Sequence, residues 1–136
     1  MDAHDTKRIL VVDDEPEVCS LLQEVLEKEG YDVVVAHRGD AAIALAQSRH
    51  PDLILMDVLM PGGLDGVQTY HRLKGRASTR EIPVIFVTAA EAGGTVSEQK
   101  LPLGERCTVI GKPFRFEQLL QAIVRLLQSP PRAPHD

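Results

Sequence analysis

Short apolar segments typical of buried strands alternate with amphipathic segments typical of helices along most of this 136-residue chain. The strand-like segments are continuously apolar, as expected for strands that are covered on both faces of a sheet. Strands that alternate with helices are joined by right-handed crossovers and form parallel sheets. The pattern therefore predicts an α/β fold in which a doubly wound, five-stranded parallel sheet carries helices on both faces.

The alternation places five strands and about five helices along the chain. The predicted strands cover Arg8–Asp13, Asp32–Ala36, Asp52–Asp57, Pro83–Thr88 and Arg106–Ile110. The predicted helices cover Pro16–Glu29, Gly39–His50, Asp65–Lys74, a short Val96–Leu101 and Phe116–Leu127. In the first helix apolar residues recur at intervals of three and four, and Pro16 and Gly30 suit its first turn and its end.

The length and composition fit a single globular domain. We expect an N-terminal extension at residues 1–7, one domain at residues 8–128 and a proline-rich tail or linker at residues 129–136. The formal net charge of −5 argues against a nucleic-acid binder. No apolar run reaches the roughly 20 residues of a membrane helix, and the N-terminus lacks an apolar signal region, so we expect a cytoplasmic protein. Cys19 and Cys107 are expected to be free thiols, because they lie far apart without metal-binding spacing.

Three acids, a hydroxyl and a lysine lie at or just after the predicted strand ends: Asp13, Asp14, Asp57, Thr88 and Lys112. Taken singly, each has a common structural explanation, as a helix cap, a turn residue or a solvated surface charge. Ligands of open parallel sheets bind at the carboxyl ends of the strands, near the point where the strand order reverses. The joint placement therefore favours a functional site over five unrelated structural roles.

These residue types suit metal-assisted phosphoryl chemistry. Adjacent carboxylates such as Asp13 and Asp14 repel each other unless a cation lies between them, and clustered carboxylates favour a hard cation such as Mg²⁺. An aspartate beside the ion can attack phosphorus and form an acyl phosphate. Phosphoryl transfer depends mainly on positioning and charge neutralisation, to which a lysine and a hydroxyl contribute.

The motifs that carry these residues are "ILVVDDEPEV", "DLILMDVLMP", "LDG", "VIFVTAA" and "GKPF". In this order and spacing, the chain resembles the receiver domain of bacterial two-component response regulators from about Arg8 to Gln128. The resemblance implies a flavodoxin-like (βα)5 fold with strand order 2-1-3-4-5. It implies a switch that is not a turnover enzyme and that takes its phosphoryl group from a sensor histidine kinase or a histidine phosphotransfer protein.

The resemblance also implies roles for individual residues. Asp57 is similar to the phosphoacceptor. Asp14, Asp57 and the backbone carbonyl of Leu59 are similar to direct ligands of Mg²⁺, with Mn²⁺ as an alternative ion. Asp13 matches the acid that holds the ion through water.

Four further positions match the family's switching residues, and a fifth departs from them. Thr88 resembles the hydroxyl that turns toward the phosphoryl group, and Lys112 resembles its cationic partner. Ala89 matches the small residue that keeps the acceptor accessible, and Pro113 matches a proline preceded by a cis peptide. Val109 stands where the family usually has an aromatic residue, so we expect the output surface to respond differently.

Three other features of this chain bear on how it compares with the family. The loop "MPGGLDG" has one glycine more than usual, and the irregular segment at residues 91–105 replaces a firm helix. That helix and the fifth strand commonly form the face that binds partners. In the family, the positions two residues after the acceptor and two after the threonine tune the attack of water on the acyl phosphate. Here they are Leu59 and Ala90, and neither side chain can orient a water molecule, so we predict a long-lived acyl phosphate.

Two other functions stay open at this point. A phosphohydrolase would carry an acid two residues after its nucleophile, where this chain has Leu59. A pure interaction module would not need the acids, the hydroxyl and the lysine. The sequence names neither the cognate kinase nor the target. Too few residues follow the last helix for a DNA-binding unit, so we expect either a stand-alone receiver or part of a longer regulator or hybrid kinase.

Overall fold

The computed structural model of the protein describes residues 6–60, 63–89 and 107–128, apart from the side chains of Thr88, Ala89 and Lys112. The strands are β1 (Arg8–Val12), β2 (Asp32–Ala36), β3 (Leu53–Asp57), β4 (Val84–Ala89) and β5 (Cys107–Lys112). The helices of the described residues are α1 (Pro16–Lys28), α2 (Gly39–Arg49), α3 (Gly66–Lys74) and α4 (Phe116–Gln128). None of these helices is long and apolar enough to cross a lipid bilayer.

All strand pairs are parallel, and the order across the sheet is β2-β1-β3-β4-β5. The predicted fold class and strand order are therefore confirmed. The first strand is internal, with β2 on one side and β3 on the other, and Val12 pairs with both Ala36 and Met56. The strand order reverses beside β1, so the carboxyl ends of β1 and β3 form the switch point of the sheet.

Two apolar cores cover the two faces of the sheet. One lies under α2 and α3 and includes Met56 and Phe86, and the other lies under α1 and α4 and includes Leu55 and Ile85. Because successive strand residues point to opposite faces, neighbours in β3 and β4 contribute to different cores. This double coverage explains why the strand segments are continuously apolar.

The helix boundaries follow the local signals in the sequence. Pro16 is the first residue of α1, where its missing N–H removes no helical hydrogen bond. Gly30 follows the helix with φ of +96°, a left-handed conformation that glycine adopts without strain. The structure thus confirms the predicted start and end of the first helix to within one residue.

Five predicted strand boundaries are wrong by one or two residues: β1 ends at Val12, not Asp13, β3 and β4 each begin one residue later than predicted, and β4 and β5 each end later. Asp52, just before β3, exchanges two hydrogen bonds with Arg8: its N–H donates to the Arg8 carbonyl at 2.7 Å, and its carboxylate accepts from the Arg8 N–H at 2.8 Å. β4 continues to Ala89, and β5 continues to Lys112. Gly111 and Lys112 have weak strand preferences, but their pairing with Thr88 and Ala89 of β4 includes them in the strand. The predicted helix Val96–Leu101 and the rest of residues 90–106 lie outside the described residues.

The opposite edge of the sheet, where the strands begin, is fastened by Arg8. Its side chain forms an ion pair with Asp32 at 2.7 Å and donates to the backbone carbonyl of Arg49 at 2.5 Å. With the Asp52 bond, Arg8 joins β1 to the beginnings of β2 and β3 and to the end of α2.

Candidate functional site

Three carboxylates converge at the carboxyl ends of β1 and β3. Asp13 and Asp14 directly follow β1, and Asp57 is the last residue of β3. Each offers a carboxylate oxygen, and these oxygens lie within 4.8 Å of one another. Asp13 is 3% exposed and Asp57 is 8% exposed, whereas Asp14 is the most accessible of the three. The structure therefore brings the predicted acids together in one half-buried cluster.

Backbone N–H groups hold two of these carboxylates in place. The N–H of Glu15 donates to Asp13 Oδ1 at 2.9 Å, and the N–H of Leu59 donates to Asp57 Oδ1 at 3.3 Å. The backbone N–H of Asp13 in turn donates to the carbonyl of Ala36 at 3.1 Å. The backbone of Leu59 therefore lies beside the Asp57 carboxylate, whereas its apolar side chain is 55% exposed.

The start of α3 packs against the backbone of Asp57 and Val58. Gly66 is the first residue of α3, and its N–H donates to the carbonyl of Val58 at 2.9 Å. Asp65 caps the helix: its Oδ1 accepts from the Gln68 N–H at 2.8 Å, and Gln68 Oε1 accepts from the Asp65 N–H at 2.9 Å. The "LDG" motif thus forms a reciprocal capping box that positions a helix directly against the candidate acceptor.

The acid cluster fits a magnesium ion. Two oxygens bound to one Mg²⁺ at about 2.1 Å lie at most about 4.2 Å apart, so a spread within 4.8 Å needs only a small contraction or one bridging water. The donors are all carboxylate oxygens, which Mg²⁺ prefers. The mutual repulsion of three carboxylates in a largely buried position also gives a divalent cation a strong electrostatic advantage there.

The remaining predicted site residues lie on the neighbouring strands. Asp57 pairs with Val87, and the next two positions of β4, Thr88 and Ala89, pair with Gly111 and Lys112. The backbone therefore carries Thr88 and Lys112 to the same edge as Asp57, while their side chains, like that of Ala89, lie outside the described residues. Their predicted roles stay predictions, as does that of Ala90, which is also outside.

Val109 lies in β5, and Pro113 directly follows that strand. Val109 is half-buried, pairs with Phe86 and packs on the core under α2 and α3. Pro113 is exposed directly after β5. Whether either residue takes part in switching stays a prediction.

A cysteine and a histidine beside the cluster were not predicted. Cys19 Sγ donates to the backbone carbonyl of Asp13 at 3.3 Å, and His37 Nδ1 lies 3.1 Å from the same oxygen. Burial, followed by the negative charge of Asp13, raises the pKa of the Cys19 thiol to about 11. The sulfur is a buried, protonated free thiol, so the expectation of free cysteines is confirmed for both. No local spacing could reveal this contact, because Cys19 and His37 come from different elements.

Comparison with known proteins identifies a single family. A family model described as the response regulator receiver domain matches residues 9–124. The chain is 45% identical to Protein PilH of Pseudomonas aeruginosa over 84 residues, which are 62% of this chain and 69% of PilH. It is 42% identical over 85 residues to the alkaline phosphatase synthesis transcriptional regulatory protein PhoP of Bacillus subtilis. That match spans 62% of this chain and only 34% of PhoP.

A solved structure has the same fold. The receiver domain of the sensor histidine kinase PA1611 from Pseudomonas aeruginosa PAO1 superposes with a TM-score of 0.79 at 28% identity. The superposition covers 91% of this chain and 99% of the other. That protein was solved with a magnesium ion coordinated in its active site cleft.

Proposed function

Because the chain belongs to the response regulator receiver domain family, we propose that Asp57 is its phosphoacceptor and that Asp13, Asp14 and Asp57 bind Mg²⁺. The observation that carries this proposal is the convergence of the three carboxylates at the switch point, with oxygens within 4.8 Å of one another. The donor is a sensor histidine kinase or a histidine phosphotransfer protein. The proposal includes a cytoplasmic location, where ATP supplies the kinase.

Asp57 is the best candidate among the three acids. Its Oδ1 accepts a hydrogen bond from the Leu59 N–H, which orients the carboxyl plane. One of its two carboxylate oxygens is the proposed nucleophile. A bond forms between this oxygen and phosphorus, while the bond from phosphorus to the donor's ring nitrogen breaks. The imidazole keeps the electron pair of that bond and takes a proton from solvent. Asp57 needs no general base, because it is ionised at neutral pH when a cation is bound beside it.

The other two acids have separate proposed roles. Asp14, the more accessible acid, is a direct ligand together with Asp57 and the Leu59 carbonyl. Asp13 is the most buried and has one oxygen held by the Glu15 N–H, which supports a role as the acid that holds a metal-bound water. When bound, the ion neutralises charge on the phosphoryl oxygens during transfer.

Phosphorylation of Asp57 would add negative charge beside the acid cluster. A phosphoryl group adds about −1.5 to −2 charge at neutral pH. Thr88 and Lys112, at the same edge on β4 and β5, are the proposed donor and cation that respond to it. Because these strands pair directly with each other, a shift at Thr88 is expected to reach Val109 and the outer side of β5.

A hydrolytic enzyme is a weaker interpretation of the same geometry. Leu59 offers an N–H and an apolar side chain where an aspartyl phosphatase needs a general acid. We therefore propose that the protein is modified once and does not turn over a substrate. Sustained hydrolysis of p-nitrophenyl phosphate by the purified protein would contradict this part of the proposal.

Mass spectrometry tests the acceptor directly. With acetyl phosphate and Mg²⁺, the wild type is expected to gain a single adduct of about 80 Da, the mass of one phosphoryl group. Asp57→Ala should gain none, while Asp40→Ala, which removes an exposed acid outside the cluster, should label normally. EDTA should prevent labelling of the wild type. Equal labelling of Asp57→Ala and wild type would refute the assignment.

A further inference from the structure

A cluster of arginines lies at the end of the molecule that is remote from the acid cluster. From Gly66 to Arg80 the chain contains no aspartate or glutamate and four cations, Arg72, Lys74, Arg76 and Arg80. The whole chain has a formal charge of −5, so the rest of the chain, without these four cations, carries −9. This segment is therefore net positive within an acidic protein that has 15 lysines and arginines in all, and Glu81 directly follows it.

Three of the four cations point into solvent. Arg72 lies near the end of α3, and Arg76 and Arg80 lie in the connector, residues 75–83, that leads to β4; all three are exposed. In the part of the chain that the structure describes, no carboxylate forms an ion pair with any of the three guanidinium groups. We call Arg72, Arg76 and Arg80 the basic surface.

The connector is tied to the end of α3 by two polar side chains, one from the helix and one from the connector. Lys74 Nζ donates to the carbonyl of Arg80 at 2.6 Å and to that of Ile82 at 3.2 Å. The buried hydroxyl of Thr79 donates to the carbonyl of Leu73 at 2.6 Å. These bonds fix the backbone on which Arg76 and Arg80 stand. A partner that binds there loses less entropy than it would by ordering a flexible loop.

From these observations we propose that the basic surface is a docking site for a short acidic segment of a partner protein. Planar guanidinium groups pair with carboxylates through two parallel hydrogen bonds, which an ammonium group cannot do. A long polyanion such as DNA would instead be repelled by the −9 carried by the rest of the chain. A few clustered carboxylates match both the small size and the charge of the surface.

The location leaves the acid cluster accessible. α3 starts against Asp57 and runs back across the sheet for nine residues, roughly 14 Å at about 1.5 Å per residue. The basic surface therefore lies at the edge where β4 begins, opposite to the carboxyl ends of the strands. Binding there does not obstruct phosphoryl transfer, and the inference does not depend on the role of Asp57.

Fluorescence anisotropy with a labelled peptide of six glutamates tests the proposal. Wild type should bind the peptide at about 50 mM salt and more weakly at about 300 mM, because salt screens exposed charges. The triple variant Arg72→Gln/Arg76→Gln/Arg80→Gln should bind at least about tenfold more weakly. The control triple Arg38→Gln/Arg49→Gln/Arg115→Gln makes the same charge change at exposed arginines elsewhere and should retain binding.

Two further measurements keep the result decisive. Ser78→Glu adds one carboxylate at an exposed position between the arginines, so it should weaken binding even if the triple variant folds poorly. A single-stranded oligonucleotide and an anionic phospholipid vesicle serve as competing probes. The proposal is overturned by equal losses in the two triple variants, by no binding to wild type, or by tighter binding of either competing probe through the same arginines.

Discussion

Gly66 and Asp57 are in direct backbone contact: a β-carbon at position 66 would overlap the carbonyl oxygen of Asp57 and approach the Val58 Cα to 2.9 Å. The first residue of α3 therefore has to be a glycine if the helix is to lie against the end of β3. The acceptor loop and the helix that follows it form one packed unit.

Gly66→Ala should destabilise the fold by about 1–3 kcal/mol, the usual range for overpacking a tight site. It should also slow phosphorylation, because the backbone of Asp57 must move. Urea unfolding measures the first effect and labelling with acetyl phosphate the second. Gly75→Ala is the matched control, since a β-carbon there meets only the Arg72 and His71 carbonyl oxygens at 3.6 Å. Equal stability of the two variants would refute the contact.

Mg²⁺ should raise the thermal midpoint of the wild type. An ion that binds only the folded state at tenfold its Kd adds about 1.4 kcal/mol. Asp14→Asn should lose most of this response, and in EDTA it should be more stable than the wild type because the cluster then contains one repelling charge fewer. Differential scanning fluorimetry provides the readout. Glu24→Gln, on the exposed side of α1, should keep the full response; an unmoved wild-type midpoint would contradict the metal site.

Asp65→Ala should reduce the free energy of unfolding by about 1 kcal/mol, the usual effect of losing an N-cap side chain. The variant leaves the Gln68 N–H without its carboxylate acceptor and removes half of the capping box. Chemical denaturation measures the free energy of unfolding of this variant and of Glu24→Ala, which removes an exposed helical acid without a capping role. The prediction fails if both changes have the same effect.

The Cys19 thiol should make stability depend on pH in the alkaline range. Its pKa rises from 9.0 to about 11 in the folded protein through burial and then the charge of Asp13. A raised folded pKa contributes stability that is present below the unfolded value and is lost as the pH rises through the folded value. The stability advantage of wild type over Cys19→Ser should therefore shrink between about pH 9 and pH 11.

Urea denaturation of both proteins at each pH tests this. Burial also raises the pKa values of Tyr31 and Tyr70, but both proteins contain these residues, so the difference isolates Cys19. A constant difference across the range would show that the thiol does not titrate as predicted.

Leu59 should prolong the life of the acyl phosphate. Its side chain is 55% exposed beside Asp57 and offers no group that can orient a water molecule. Leu59→Gln introduces such a group and should shorten the half-life of phosphorylated protein several-fold. Leu21→Gln, which polarises a similarly exposed leucine on α1, should leave the half-life unchanged. Loss of phosphate from the wild type within seconds in Mg²⁺ buffer would contradict the prediction.

Hydrophobic periodicity was enough to predict the alternating strands and helices and the parallel sheet, because the inner strands β1 and β3 are almost wholly buried and therefore continuously apolar. The strand order was implied by the family resemblance. The convergence of Asp13, Asp14 and Asp57 was equally predictable, since the ends of parallel strands meet at one edge. The contact between Cys19, His37 and the Asp13 carbonyl was not, because it joins three elements whose sequence spacing carries no signal. The full extent of β5 also depended on pairing with Thr88 and Ala89, which local preference does not encode.

The strand order has a consequence for synthesis of the chain. Both neighbours of β1 precede α3, so all three acids and three adjacent strands of the sheet are present once Asp57 has left the ribosome. During synthesis the N-terminal part of a chain emerges before the C-terminal part. Lys112, the cation proposed to balance the site, arrives only with the last strand. We therefore expect the nascent chain to pass through a stage in which its negative charge at the switch point is compensated by ions from the surrounding solution.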